Sequence, residues 1–272
     1  VREARVDDRP IGVFDSGVGG LTVCAAVRDR LPGEHIIYFG DTGRFPYGTR
    51  SGETIIRYSL EIADYLVRRN VKMIVIACNT ASAVALDTLR SRVPVPVMGV
   101  IGAGARAACG RMGGGAVGVI GTRATVASGS YVKAVQAVRP GTAVLQQHAS
   151  LLVSLVEEGW TDDEVTRLAA RRYIDGLYDA GVRTLILGCT HYPLLKGAIR
   201  AVYPDLDLVD IGVEIALEVQ AVLREKNLEN AGLSGTIELY ASDVTDTMQR
   251  LKNLFFGDDG SVLRKLVISG AD

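Results

Sequence analysis

The four cysteines, Cys24, Cys78, Cys109 and Cys189, never come closer together than 31 residues, and no Cys-x-x-Cys occurs. That spacing excludes the usual zinc patterns and argues against a small disulfide scaffold, so no metal site is expected. Charge of either sign is not in surplus: 30 Lys and Arg stand against 31 Asp and Glu, a net charge of −1. Nucleic acid and anionic membranes are therefore not expected as general partners. No apolar run is long enough to span a bilayer. Val1 to Pro10 is charged and lacks the apolar core of a secretory signal. Low-complexity segments are also missing. A soluble, cytoplasmic protein with free thiols is expected.

Apolar residues are plentiful, at 48% of 272 residues, enough to fill one large domain or two small ones. The chain is organised around Leu185 to Pro193, Leu-Ile-Leu-Gly-Cys-Thr-His-Tyr-Pro. Such an apolar run, ended by Gly and small polar groups, predicts a buried parallel strand meeting its C-terminal loop. Ligands bind at that edge of open α/β sheets. Ile74 to Thr80, Ile-Val-Ile-Ala-Cys-Asn-Thr, repeats the pattern. Ile11-Gly12-Val13-Phe14 likewise resembles Val117-Gly118-Val119-Ile120. Val117 lies 106 residues after Ile11, and Cys189 lies 111 after Cys78. Two features at nearly one offset predict two related α/β halves, with Cys78 and Cys189 facing each other across a cleft. Cys24, in an apolar helix-like run, and Cys109, among Ala and Gly, read as packing residues.

Along the chain, strands are predicted at Ile11–Phe14, Ile36–Phe39, Met73–Ala77, Val97–Val100, Val117–Ile120, Thr142–Gln146 and Leu206–Asp210. Val97–Val100 is expected to lead into the second half. Asp15-Ser16-Gly17-Val18-Gly19-Gly20 follows the first strand but matches neither Gly-x-Gly-x-x-Gly nor a Gly-Lys-Ser/Thr loop. It reads either as a tight turn admitting a neighbouring loop or as a device pointing Asp15 and Ser16 into the cleft. Gly40 to Arg50 is too rich in Gly, Pro and polar residues for a regular element, and a loop of that length is often functional. Ser51 is a plausible N-cap for a helix to about Asn70. Thr80 or Asn79 would cap the helix after Cys78, whose exposed N–H groups favour a thiolate and could bind a carboxylate. Thr161 would cap a helix over about 162–180. Pro193 would open the next helix, another helix starts near Val213, and the tail over about 236–268 reads strand, helix, strand.

Two facing thiols allow a redox pair, a Cys189–His191 nucleophile couple, or two-base proton transfer at a stereocentre. The last uses the symmetry best. One group removes a proton from one face of a carbon while another delivers a proton to the opposite face. A free thiol titrates near about 8.5, so the thiolate is accessible with help. Asp15 could shuttle protons, and no Schiff-base lysine motif calls for a cofactor.

These residues carry a resemblance. Asp15 to Thr22, Tyr38-Phe39-Gly40-Asp41-Thr42, Pro46-Tyr47-Gly48, Ala77-Cys78-Asn79-Thr80-Ala81 and Gly188-Cys189-Thr190-His191-Tyr192-Pro193 are similar to the glutamate racemases of the aspartate/glutamate racemase superfamily. The similarity runs over nearly the whole chain, and the Cys-Thr-His-Tyr-Pro run is its most specific part. It implies cofactor-independent interconversion of L- and D-glutamate, supplying D-glutamate for peptidoglycan. By position, Cys78 and Cys189 match the catalytic bases, and Asp15, Glu157 and His191 match groups that assist them. Asp15, Ser16, Pro46, Tyr47, Gly48, Asn79, Thr80, Thr122, Thr190 and His191 match substrate-binding positions. Composition alone makes Glu157 a solvated helix end. The implied fold is two pseudo-symmetric α/β domains with mostly parallel central sheets and the active site between them. Residues 1–97 plus 210–272 would carry Cys78, and 98–209 would carry Cys189. A homodimer is expected. The sequence departs from the family at Ala149-Ser150, preceded by His148, at Asp210-Ile211-Gly212 and at Gly43. The alternatives are a racemase of another amino acid or a hydantoin, or a regulatory binding protein of the DNA gyrase-inhibitor type. At net charge −1 the latter would need a specific protein contact.

Overall fold

The structure is a computed structural model describing residues 7–230, 232, 234–257 and 260–268. The outermost ends of the expected first domain, and residues 1–6 of the segment read for a secretory signal, lie outside the described residues. The first part of the chain alternates β1 (Ile11–Asp15), α1 (Leu21–Arg30), β2 (Ile36–Gly40), α2 (Gly52–Arg68), β3 (Met73–Ile76), α3 (Asn79–Arg92), β4 (Val97–Gly99) and α4 (Val100–Arg111). There follow β5 (Val117–Gly121), α5 (Arg123–Ala127), α6 (Ser130–Val138), β6 (Val144–His148), α7 (Leu151–Glu158), α8 (Glu164–Asp179), β7 (Thr184–Gly188), α9 (Lys196–Val202) and β8 (Asp207–Val209). The chain continues through α10 (Ile211–Glu225), β9 (Ile237–Ala241), α11 (Asp246–Phe256) and β10 (Leu263–Lys265).

Two sheets result, with strand orders β10-β9-β2-β1-β3-β4 and β6-β5-β7-β8. Every strand pairing within each sheet is parallel. Parallel strands need helical crossovers, which cover both sheet faces, so their sequences are apolar throughout rather than alternating. β1, β3 and β7 are buried along their whole lengths accordingly. The order β2-β1-β3-β4 recurs as β6-β5-β7-β8, and the registers match. Ile11 sits beside Met73 in the first sheet as Val117 sits beside Thr184 in the second. The two halves are thus pseudo-symmetric. In each, the chain reverses its direction of travel across the sheet at one strand, β1 or β5. The crevice at the C-terminal end of such a switch point is where ligands bind.

β4 corrects one expectation. It pairs with β3 at the edge of the first sheet, and the second sheet begins only at β5. Between them runs α4, which the sequence reading leaves unassigned because Gly102, Gly104 and Gly110 depress its helical propensity. Packing overrides propensity there. A Cβ on Gly104 would lie 3.0 Å from Ile211 Cγ2 and 3.4 Å from the Tyr131 ring, so any larger residue would push these neighbours back by a few tenths of an ångström. α1, α4 and α10 join one continuous apolar cluster that includes Val13, Val75, Val119 and Ile186 from both sheets. Each such fully buried aliphatic side chain contributes roughly 1.5–3 kcal/mol.

Capping settles further boundaries. Ser51 accepts from the Thr54 N–H, as expected. The cap of α8 is Asp163, accepting from Thr166 N–H, rather than Thr161. The cap of α3 is Cys78 itself, not Asn79 or Thr80.

The first sheet is anchored at its N-terminal edge by a buried ion pair. Lys72 Nζ lies 2.5 Å from Glu34 Oε2, with both side chains at most 1% exposed. The same ammonium donates to the Asp7 and Leu228 carbonyls at 2.7 Å each, tying in the segment after α10. Removing one partner of such a pair leaves a buried charge uncompensated. Lys72→Met is therefore expected to lower unfolding stability by about 3–5 kcal/mol in urea titrations. A loss below about 1 kcal/mol, the range of an exposed pair, would contradict this account of the anchor.

Candidate active site

The C-terminal ends of β1, β3, β5 and β7 converge on a cavity of about 310 Å³ between the two sheets. β3 delivers Cys78, Asn79 and Thr80, and β7 delivers Cys189, Thr190 and His191. Ser16 comes from the β1 loop, Thr122 from the end of β5, and Pro46, Tyr47 and Gly48 from the loop between β2 and α2. Glu157 approaches on α7. The cavity wall thus brings together every residue expected at the site except Asp15. That carboxyl is 1% exposed and lies just behind the wall.

Asp15 joins the two halves there. Its Oδ2 accepts from Thr190 Oγ1 at 3.0 Å, and its Oδ1 accepts from Ser16 Oγ and Gly17 N–H at 3.3 Å each. Thr22 Oγ1 also donates to the Thr190 carbonyl at 3.1 Å. Both readings of the glycine-rich loop contribute. Ser16 lines the cavity, while Gly19 and Gly20 let neighbours approach the backbone. A Cβ on Gly19 would lie 2.4 Å from Thr190 Oγ1 and 2.6 Å from His191 Nδ1; one on Gly20 would strike Asp15.

The two thiols have different surroundings. Cys78, 5% exposed, donates toward Ser16 Oγ at 3.3 Å and accepts the Ala81 N–H at 3.4 Å. Burial, reinforced by the negative charge of Asp15, pushes its thiol up to about 12. Burial likewise raises Asp15 above the ordinary carboxyl range, against the pull of His191 and the Thr190 hydrogen bond. Cys189, 6% exposed, has its sulfur 3.8 Å from His191 Nδ1. His191 Nε2 lies 3.3 Å from Glu157 Oε1, so sulfur, imidazole and carboxylate stand in series. Burial disfavours the imidazolium, but its contacts with Cys189 and Glu157 outweigh that and push His191 up to about 10. Glu157 is held in turn by α11, since Thr247 Oγ1 and Arg250 both donate to its backbone carbonyl.

The sequence reading misses part of the wall. Ser150, at the N-cap of α7, and Val153 and Ser154 within it line the wall with Glu157, at the i, i+3, i+4, i+7 spacing of one helix face. That periodicity is the signal that could have found them. Phe45, Thr49 and Arg123 also line it. Thr125 completes a triangle of hydroxyls: Thr122 Oγ1 lies 3.0 Å from both Thr80 Oγ1 and Thr125 Oγ1. Asp41 shapes the wall from behind. It accepts from Tyr47 Oη at 2.5 Å, Arg44 Nε at 2.7 Å and Ser242 Oγ at 2.9 Å. With the Tyr47 hydroxyl so engaged, its ring is a buried prop. Nearby, a Cβ on Gly48 would meet Thr122 at 3.2 Å, so the loop closes tightly over the second sheet.

The raised His191 implies a pH dependence. Its charged form stabilises the fold fully below the unfolded value of about 6.5, and that contribution is lost as pH rises through about 10. The stability advantage of the wild type over His191→Asn is expected to shrink steadily between these limits in thermal melts. An advantage that grows with pH would contradict the assignment.

The Asp/Glu/Hydantoin racemase family matches residues 21–216. A glutamate racemase of Geobacter metallireducens is 49% identical over 251 residues, covering 92% of this chain and 93% of its own. A solved glutamate racemase from Francisella tularensis, in complex with D-glutamate, superposes with a TM-score of 0.90 at 35% identity, covering 98% of this chain and all of its own. One from Thermus thermophilus, in complex with beta-chloro-D-alanine, gives 0.85 at 44% identity, covering 97% and 99%. No helix among the described residues is long and apolar enough to cross a membrane. Matched nearly end to end in sequence and fold, the chain belongs to the Asp/Glu/Hydantoin racemase family of isomerases.

Proposed function

We propose that this protein interconverts L- and D-glutamate without a cofactor, using Cys78 and Cys189 as the two bases and supplying D-glutamate for peptidoglycan. The observation that carries this reading is the placement of the two thiols at the ends of equivalent strands, β3 and β7, in one buried cavity. The sequence relatives and the D-glutamate in the Francisella tularensis structure support the choice of substrate.

In one direction a thiolate takes the α-proton. The Cα–H bond breaks, an S–H bond forms, and the electron pair delocalises into the α-carboxylate. The opposite thiol then gives its proton to the other face of Cα and becomes the thiolate. The reverse reaction exchanges the roles. The developing negative charge needs fixed hydrogen-bond donors in a site shielded from water. Asn79, Thr80 and Thr122 are the side-chain donors at hand, while the Ser16 and Thr190 hydroxyls beside them donate to Asp15. In this reading Asp15 assists at Cys78 and the His191–Glu157 pair assists at Cys189, supported by the influence of Asp15 on the Cys78 thiol and by the contacts of His191 with Cys189 and Glu157. Tyr47, Pro46 and Gly48 close the substrate side.

The domain division belongs to the same reading, with the segment after about residue 210 returning to complete the first unit. So do a homodimeric assembly and a cytoplasmic location, which rest on the family resemblance.

With L-glutamate in deuterated buffer and no added cofactor, optical rotation is expected to decay while deuterium enters Cα, followed by proton NMR. Cys189→Ser should lower racemisation in both directions by about 10³-fold and leave the fold intact. Deuterium entry with constant rotation would mean that only one face is served. No change with either enantiomer would remove glutamate as the substrate.

A further inference from the structure

We propose that Tyr131 is a positioning residue for Asn79: its hydroxyl donates to Asn79 Oδ1 and thereby turns the Asn79 Nδ2 amide toward a carboxylate oxygen of the substrate. The inference rests on the glutamate reading above and adds a residue that the sequence reading does not place at the site.

A primary amide has two ends of nearly the same shape, a donor and an acceptor, and only its partners decide which faces where. Tyr131 Oη lies 2.6 Å from Asn79 Oδ1, with Tyr131 wholly buried and Asn79 2% exposed. Burial, with the charge of Cys189 adding to it, raises the Tyr131 phenol, so the group keeps its proton and acts as the donor. With the amide turned the other way, Nδ2 would donate to the phenol oxygen, and the phenol proton would lose its acceptor. Leaving a buried donor unmatched is costly. The orientation with Oδ1 toward Tyr131 is therefore the favoured one.

That orientation has a consequence on the other side of the amide. Asn79 Nδ2 is buried without a hydrogen-bond partner among the described residues, although Asn79 lines the cavity. Buried donors are normally satisfied. An unmatched donor on a residue that lines the cavity calls for an acceptor from the ligand, and a carboxylate is an acceptor only. The reversed amide would present a carbonyl oxygen and repel the same group. Tyr131 thus fixes both the position of Asn79 and the sign of the polarity that it offers.

Tyr131 is itself held. Its ring fills the space left by two missing side chains: a Cβ on Gly188 would lie 3.1 Å from Cε2, and one on Gly104 3.4 Å from Cε1. Gly188 directly precedes Cys189. The ring therefore backs the second thiol strand while its hydroxyl reaches across to the residue after the first thiol. Tyr131 lies on α6 and Asn79 on α3, so the bond crosses between the two halves.

Tyr131→Phe keeps the ring and removes only the hydroxyl. In steady-state racemisation it is expected to raise KM for both glutamate enantiomers roughly 10-fold, with kcat changed much less. Asn79→Ala should raise KM comparably. Adding Tyr131→Phe to Asn79→Ala should then change KM by less than about 2-fold, since the group it positions is already gone. A purely structural role for Tyr131 would instead give independent, multiplying effects. Should Tyr131→Phe fold poorly, the wild-type side-chain amide of Asn79, labelled with ¹⁵N and assigned by its loss in Asn79→Ala, serves instead. Its protons should shift on adding D-glutamate. An unchanged KM in folded Tyr131→Phe, multiplying effects in the double variant, or amide signals unmoved by a glutamate that the wild type turns over would each overturn the proposal. A wild type inert to glutamate would remove the substrate reading, and this inference with it, before any variant is compared.

Discussion

Strands of a parallel sheet all end on the same edge, and that edge is where a chain can place polar groups without burying them in a core. A duplicated sheet whose two copies bring these edges together therefore creates one shared crevice, lined twice by equivalent loops. The rest of the molecule depends on this constraint. The order β2-β1-β3-β4 and its repeat β6-β5-β7-β8 put β3 and β7 in equivalent positions. Cys78 and Cys189, just beyond those strands, meet in one cavity as a result. A shared apolar cluster through α1, α4 and α10 holds the copies together. Asp15 and Thr190 add a buried hydrogen bond beside the thiols themselves.

Equivalent placement does not mean equivalent chemistry. Cys78 caps a helix and has a buried carboxyl behind it, so burial and Asp15 together hold it toward the protonated form. Cys189 has an imidazole beside it, backed by Glu157. A reaction that passes a proton between two thiols gains from such a difference, because each sulfur has its own partners for the proton. Both cysteines are buried, a setting in which fixed dipoles act most strongly.

Much of this plan is readable from the chain. Buried parallel strands show as unbroken apolar runs, so Ile74 to Cys78 and Leu185 to Cys189 stand out, and their spacing carries the duplication. The caps at Ser51 and the strand-helix-strand tail are local signals and are equally legible. What stays hidden is what depends on distant contacts. Gly104 of α4 lets Ile211 and Tyr131 pack against the helix, and no local rule separates such a glycine from one in a loop. The loop from Asp15 reads either as a tight turn or as a device pointing Asp15 into the cleft, and only the fold shows the carboxyl turned behind the wall toward Thr190, 175 residues away. Cys78 itself caps α3, a role that the neighbouring Asn79 and Thr80 obscure because oxygen caps are the commoner kind. Glu157 looks solvated in sequence; only the docking of α7 against the cavity sets it beside His191. Tyr131 carries no motif, and its hydroxyl matters only through Asn79.

The central claim is geometric: one α-carbon lies between two sulfurs. A crystal structure of this protein with glutamate bound tests it most directly. The account predicts that the Sγ atoms of Cys78 and Cys189 approach Cα from opposite faces, each at about 3.5 Å. A substrate bound with both sulfurs on one face, or with either sulfur far beyond proton-transfer reach, would contradict it.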